Sequence, residues 1–151
     1  MKKRKMIIEQ RIRPLVDALN DTELLVTFSS CEGHFGDTER LGFNDRDMAE
    51  VRFELKEQIA ESDVERLFGH LVGKHVNSPL MWKATLTIHK EYVSGDKSDF
   101  VPDHVYVFQI RPFDPKDSDT TKRANVDMVI DQTIESIKEY ISFARQKNWQ
   151  A

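Results

Sequence analysis

Between Cys31 and Asp37 the chain carries a thiol (Cys31), an imidazole (His34) and two carboxylates (Glu32 and Asp37), with Gly33 and Gly36 between them. A thiol near an imidazole supports nucleophilic chemistry. The thiolate is the reactive form, and a neighbouring imidazolium draws the thiol pKa down from about 8.5. In that reading Cys31 is the nucleophile, His34 its base and Glu32 a supporting carboxylate. The same Cys31-x-x-His34 spacing is half of a zinc-type pair, but zinc needs three or four ligands. No second Cys-x-x-Cys or His-x-x-x-His follows. Completion would fall to dispersed groups such as His70, His75, His89, His104, Asp37 or Glu39, so no metal-ligand set is assigned. A third chemistry is ligand binding by Ser29, Ser30, Gly33 and Asp37, because hydroxyls and glycine N–H groups cradle anions in turn nests. The segment lacks both G-x-x-x-x-G-K-[ST] and G-x-G-x-x-G. A plain packing role stands beside these three. Cysteine is among the most often buried residues, and the glycines can serve tight turns alone.

The remaining histidines read as structural. His70 and His75 fall near the end of a helix, where an imidazolium suits the helix dipole. His89 shares a strand face with lysine and threonines, and His104 opens a strand. Asp114 to Asp119 lacks the glycine and closing glutamate of a calcium loop and reads as a linker and cap. Trp82 and Trp149 read as core or interface anchors.

Several elements must position the loop. Ile8, Ile12, Leu15, Val16 and Leu19 recur at helical spacing, and Pro14 bends that helix or sits in its first turn. Thr22–Ser29 is short and rich in strand formers, and Ser30–Arg46 reads as a long irregular connection. Glu50–Leu55 alternates strictly, predicting a strand with one packed and one wet side. Ser62-Asp63-Val64-Glu65 predicts a capping box opening a helix that buries Val64, Leu67, Phe68, Leu71 and Val72 and ends at Gly73. Trp82, Ala84, Leu86 and Ile88 form the packed side of another strand. Ser94–Ser98 reads as a hairpin tip, and His104–Arg111, apolar on both parities, as a central strand. Val126, Ile130, Ile134, Ile137, Ile141 and Ala144 line one stripe of a last helix. The expected fold is α+β, in the order α-β-β-α-β-β-α. About four mainly antiparallel strands carry helices on one face, in a single domain over residues 1–151.

The chain has 151 residues, 39% of them hydrophobic and 32% charged, which suits one folded domain and neither disorder nor a membrane bundle. The net charge of −4 offers no general attraction for nucleic acid. Cys31 is the single cysteine, so no internal disulfide forms and a reducing, cytoplasmic setting is expected. Lys2, Lys3, Arg4 and Lys5 are not followed by the apolar run of a secretory signal.

Ile12-x-Pro14-Leu15-x-x-Ala18-Leu19-Asn20, then Ser30-Cys31-Glu32-Gly33-His34 and Val51-Arg52-Phe53, resemble an uncharacterised bacterial family with a helix–strand–S-C-E-G-H pattern. The resemblance covers roughly the first 55 residues, its specific part is S-C-E-G-H, and it brings no established activity. Ser29-Ser30-Cys31-x-Gly33 is also similar to the Ser-Ser-Cys-x-Gly run of the wybutosine-synthesis tRNA methyltransferase family, which implies methyl transfer to tRNA. In that family arginine usually follows the glycine, where this chain has His34. The expectation is a small binding module that uses Ser30–Asp37 for a small-molecule ligand or a partner, homodimerisation included. The alternative is an enzyme with Cys31 and His34 as a thiol–imidazole or metal centre. The sequence names no cofactor.

Overall fold

A computed structural model describes residues 8–36, 47–93 and 103–146. Helix α1 (Arg13–Asp21) has Pro14 as its second residue, where the missing N–H falls among donors that are unpaired anyway. The lead before it turns once, with Arg13 N–H donating to the Glu9 carbonyl at 3.1 Å. At the exit the Thr22 hydroxyl donates to the Leu19 carbonyl at 2.7 Å, and Glu23 takes φ +63° to reverse the chain. Those two residues therefore belong to the helix exit. Strand β1 runs Leu25–Cys31, later than expected, and includes Ser29, Ser30 and Cys31. Asn20 fastens the helix to it, accepting from Thr27 N–H at 3.2 Å and donating to the Thr27 hydroxyl at 2.9 Å.

Strand β2 (Ala49–Leu55) pairs antiparallel with β1, setting Cys31 opposite Glu50 and Thr27 opposite Phe53, with a bulge between Thr27 and Ser29. Helix α2 spans Glu61–Val76. Its N-cap is Ala60, not Ser62, and Asp63 accepts the Ala60 N–H at 3.3 Å. Alanine has no oxygen to return the bond, so only the carboxylate half of the box exists. Gly73 does not end this helix, and Val72 is exposed. A 3-10 turn, Pro79–Trp82, leads into β3 (Ala84–Val93) and β4 (Asp103–Pro112). Trp82 is 63% exposed and stacks edge-on against Phe113 rather than joining the core. The expected hairpin tip at Ser94–Ser98 lies outside the described residues. Helix α3 (Asp119–Gln146) closes the fold, with the Ser118 hydroxyl accepting the Thr121 N–H at its start.

The sheet order is β1-β2-β4-β3, antiparallel throughout, and the fold is α+β as expected, with the 3-10 turn added to the order. Paired residues share a face, so Thr27, Phe53 and Tyr106 line up, as do Val51, Phe108 and Ile88. Of these, Val51, Phe53, Tyr106 and Phe108 join Leu15, Leu19, Leu67, Leu71, Val126, Ile130 and Ile137 of the helices in one core, with Ile88 packed against it.

The other face carries a polar chain. Arg111 donates to Gln109, Gln109 to Glu50 at 2.8 Å, and Arg52 to both Glu50 and Glu91. His89 meets Glu91 at 3.1 Å. Glu50 is only 6% exposed, so this part of the face is not wet as the alternation implied. The charges are held by one another.

Candidate functional site

Strand β1 is an edge strand and Cys31 is its last residue. Gly33 (φ +90°) and Gly36 (φ +78°) then turn the chain through conformations that disfavour side chains. Two segments far away in sequence hold this bend. From the lead into α1, the Glu9 carboxylate accepts the Glu32 N–H at 3.0 Å and meets His34 Nε2 at 2.8 Å. From α3, Arg123 donates to the Gly33 carbonyl at 2.9 Å while its guanidinium lies 5.0 Å from the Phe35 ring centroid. Asp127 joins the two anchors. It accepts from Arg123 at 2.7 Å and from Arg11 at 2.7 Å, and Arg11 Nε stands 3.6 Å from Glu32.

This bracing brings three donors together. Ligand atoms of Glu9, Cys31 and His34, all partly buried, lie within 4.8 Å of one another. The sulfur and imidazole singled out by the sequence therefore converge, with a carboxylate 25 residues upstream of His34 beside them. An imidazole nitrogen 2.8 Å from a carboxylate oxygen must carry the proton, since two acceptors would repel. When neutral, the ring then has Nδ1 as its basic nitrogen. The His34 side chain is 14% exposed and that of Glu9 21%, which weakens competing water without closing the site.

Other candidate residues sit elsewhere. The Glu32 side chain turns to Arg11. Ser29 and Ser30 lie within β1, opposite Arg52 and Val51, and the Ser30 hydroxyl is buried without a hydrogen bond. The Gly33 carbonyl, rather than an N–H, is the group engaged. Asp37 and Glu39 lie outside the described residues. His89 meets Glu91, His104 lies 3.6 Å from Glu61, and His70 lies 3.8 Å from Glu139. None of these histidines joins the described Cys31–His34 cluster; Glu9 does. The one cue to it in the sequence was Pro14, which forces the helix to begin late and makes residues 8–12 a lead that can pack beside a strand end.

His75 is not a solvated partner of the helix dipole. It is 6% exposed, and burial pushes its pKa below the ordinary imidazole value. The Ala84 backbone and Gln132 side chain favour the charged form, but neither ring nitrogen reaches hydrogen-bond geometry, so burial governs.

A depression of about 590 Å³ opens at the far end of β1, where the sequence offered no motif. Glu23 and Gln58, both with positive φ, line it with Arg66, Tyr140 and Ile141. Burial raises the Tyr140 pKa. Its lining has carboxylates and a guanidinium but no thiol, and it does not meet the Cys31 cluster.

The architecture defines an α+β domain with a sulfur–nitrogen–oxygen cluster at one sheet edge. Comparison with protein-family models, with curated proteins and with solved structures finds no match to this chain. Among the described residues, no helix is long and apolar enough to cross a membrane.

Proposed function

We propose that this chain is a small ligand-binding domain whose working site is the Ser30–Asp37 loop completed by Glu9. The observation that supports it is the meeting of Glu9, Cys31 and His34 donor atoms within 4.8 Å, from segments far apart in sequence. The Arg11–Asp127–Arg123 bracing adds to this reading, because a loop ordered before its ligand arrives binds at lower entropic cost.

A second reading has one observation of its own. The 2.8 Å contact between Glu9 and His34 Nε2 is the carboxylate–imidazole pair that orients a general base. Cys31 would be the nucleophile, His34 the base and Glu9 its positioning group. Alkylation of Cys31 by iodoacetamide at pH 7, in chelator, separates the two. The binding reading expects a rate no greater than that of glutathione, altered several-fold by Glu9→Gln and by His34→Gln. A rate far above glutathione moves the assignment to the thiol enzyme. Rates unchanged by either substitution mean that the three residues do not form one site.

A further inference from the structure

We propose that the Glu9–Cys31–His34 cluster binds a divalent cation of the zinc class through one thiolate sulfur, one imidazole nitrogen and one carboxylate oxygen. The proposal rests on the loop being the working site, and it names the ligand.

Donor chemistry selects the ion. Calcium and magnesium take oxygen shells, whereas thiolate and imidazole suit zinc, cobalt and their neighbours. Geometry allows it. Donors around a tetrahedral zinc lie about 3.5 Å apart, given bonds of about 2.0–2.3 Å. His34 Nε2 and the Glu9 carboxylate, 2.8 Å apart, need to open by less than an ångström, and the Cys31 sulfur, within 4.8 Å of its partners, needs to close by little more than an ångström.

The charge balance favours it as well. A thiolate and a carboxylate neutralise a dication. The nearby guanidiniums do not oppose it, since Arg11 is engaged by Asp127 and Glu32, and Arg123 by Asp127 and the Gly33 carbonyl. Supporting contacts are also in place. The Glu32 N–H steadies the Glu9 carboxylate, as outer partners do around metal ligands. Without metal, a proton bridges His34 Nε2 and Glu9. The cation takes that proton's place, and Cys31 gives up its own, so binding releases protons and weakens as pH falls.

The test is titration of the full, chelator-stripped chain with Co²⁺, followed by Zn²⁺. One equivalent of Co²⁺ should produce a thiolate-to-cobalt charge-transfer band and the visible bands of a four-coordinate ion, and Zn²⁺ should abolish both. Cys31→Ser should remove the charge-transfer band. Glu9→Gln and His34→Gln, which keep polar groups in place, should each weaken binding at least tenfold. Ca²⁺ and Mg²⁺ should not compete. No stoichiometric band, or Zn²⁺ binding unchanged in all three variants, overturns the metal. If the metal fails while Glu9→Gln and His34→Gln still alter Cys31 alkylation, the loop site survives without it. If alkylation is also indifferent to them, both readings fall.

Discussion

The Glu9 carboxylate touches His34 Nε2 at 2.8 Å and takes the Glu32 N–H at 3.0 Å, so one side chain from the lead into α1 organises the bend after β1. The bend turns on glycines at positions 33 and 36, both with positive φ.

Removing that side chain should loosen the fold measurably. Glu9→Ala leaves the Glu32 amide and the imidazole without their acceptor, at a cost of about 1–2 kcal/mol. Glu9→Gln keeps an oxygen for the amide and should cost less. Urea denaturation midpoints of the two variants check the order.

Arg123 is the anchor from the opposite side. It donates to Gly33, pairs with Asp127 and covers Phe35 with a flat guanidinium. Lysine supplies charge but no fork, so Arg123→Lys should destabilise nearly as much as Arg123→Ala, each by about 1–2 kcal/mol. Equal stability of wild type and Arg123→Lys would show that the fork is unimportant.

His75 makes the fold sensitive to acid. Its folded-state pKa lies below the ordinary value, so the folded chain binds fewer protons than the unfolded chain as pH falls below about 6.5. Stability is therefore full above that pH and declines below it, towards the depressed folded value. Glu61, Glu91 and Glu139, all held below the ordinary carboxylate value, add their own loss at lower pH. Thermal melts between pH 5 and 7 should slope in wild type and flatten in His75→Leu.

Glu23 and Gln58 hold positive φ, at +63° and +70°. Glycine adopts that conformation at no steric cost, so Glu23→Gly and Gln58→Gly should stabilise or be neutral, within about 1 kcal/mol, despite the added freedom of the unfolded chain. A loss of several kcal/mol would show that their side chains carry the turns.

The element types were legible because their patterns were long. The stripe from Val126 to Ala144, the alternation of Val51, Phe53 and Leu55, and the two-sided apolar run from Val105 to Ile110 each follow from one period. Ends were harder. Thr22 and Glu23 look like strand residues, yet a hydroxyl-to-carbonyl bond and a left-handed turn spend them on the exit of α1. Ser62 reads as a cap, but the helix begins before it. His75 and Glu50 read as solvated because polarity in sequence says nothing of which neighbours fold over a residue. The Cys31–His34 pair stood out through composition. Glu9 did not, because its partnership exists only once α1 packs beside the end of β1.

Zinc K-edge X-ray absorption on the full chain with one equivalent of Zn²⁺ puts the convergence of these three residues to the most direct trial. The predicted spectrum has one sulfur at about 2.3 Å and three nitrogen or oxygen neighbours at about 2.0–2.2 Å. A shell of light atoms alone, with no sulfur, would contradict the assignment.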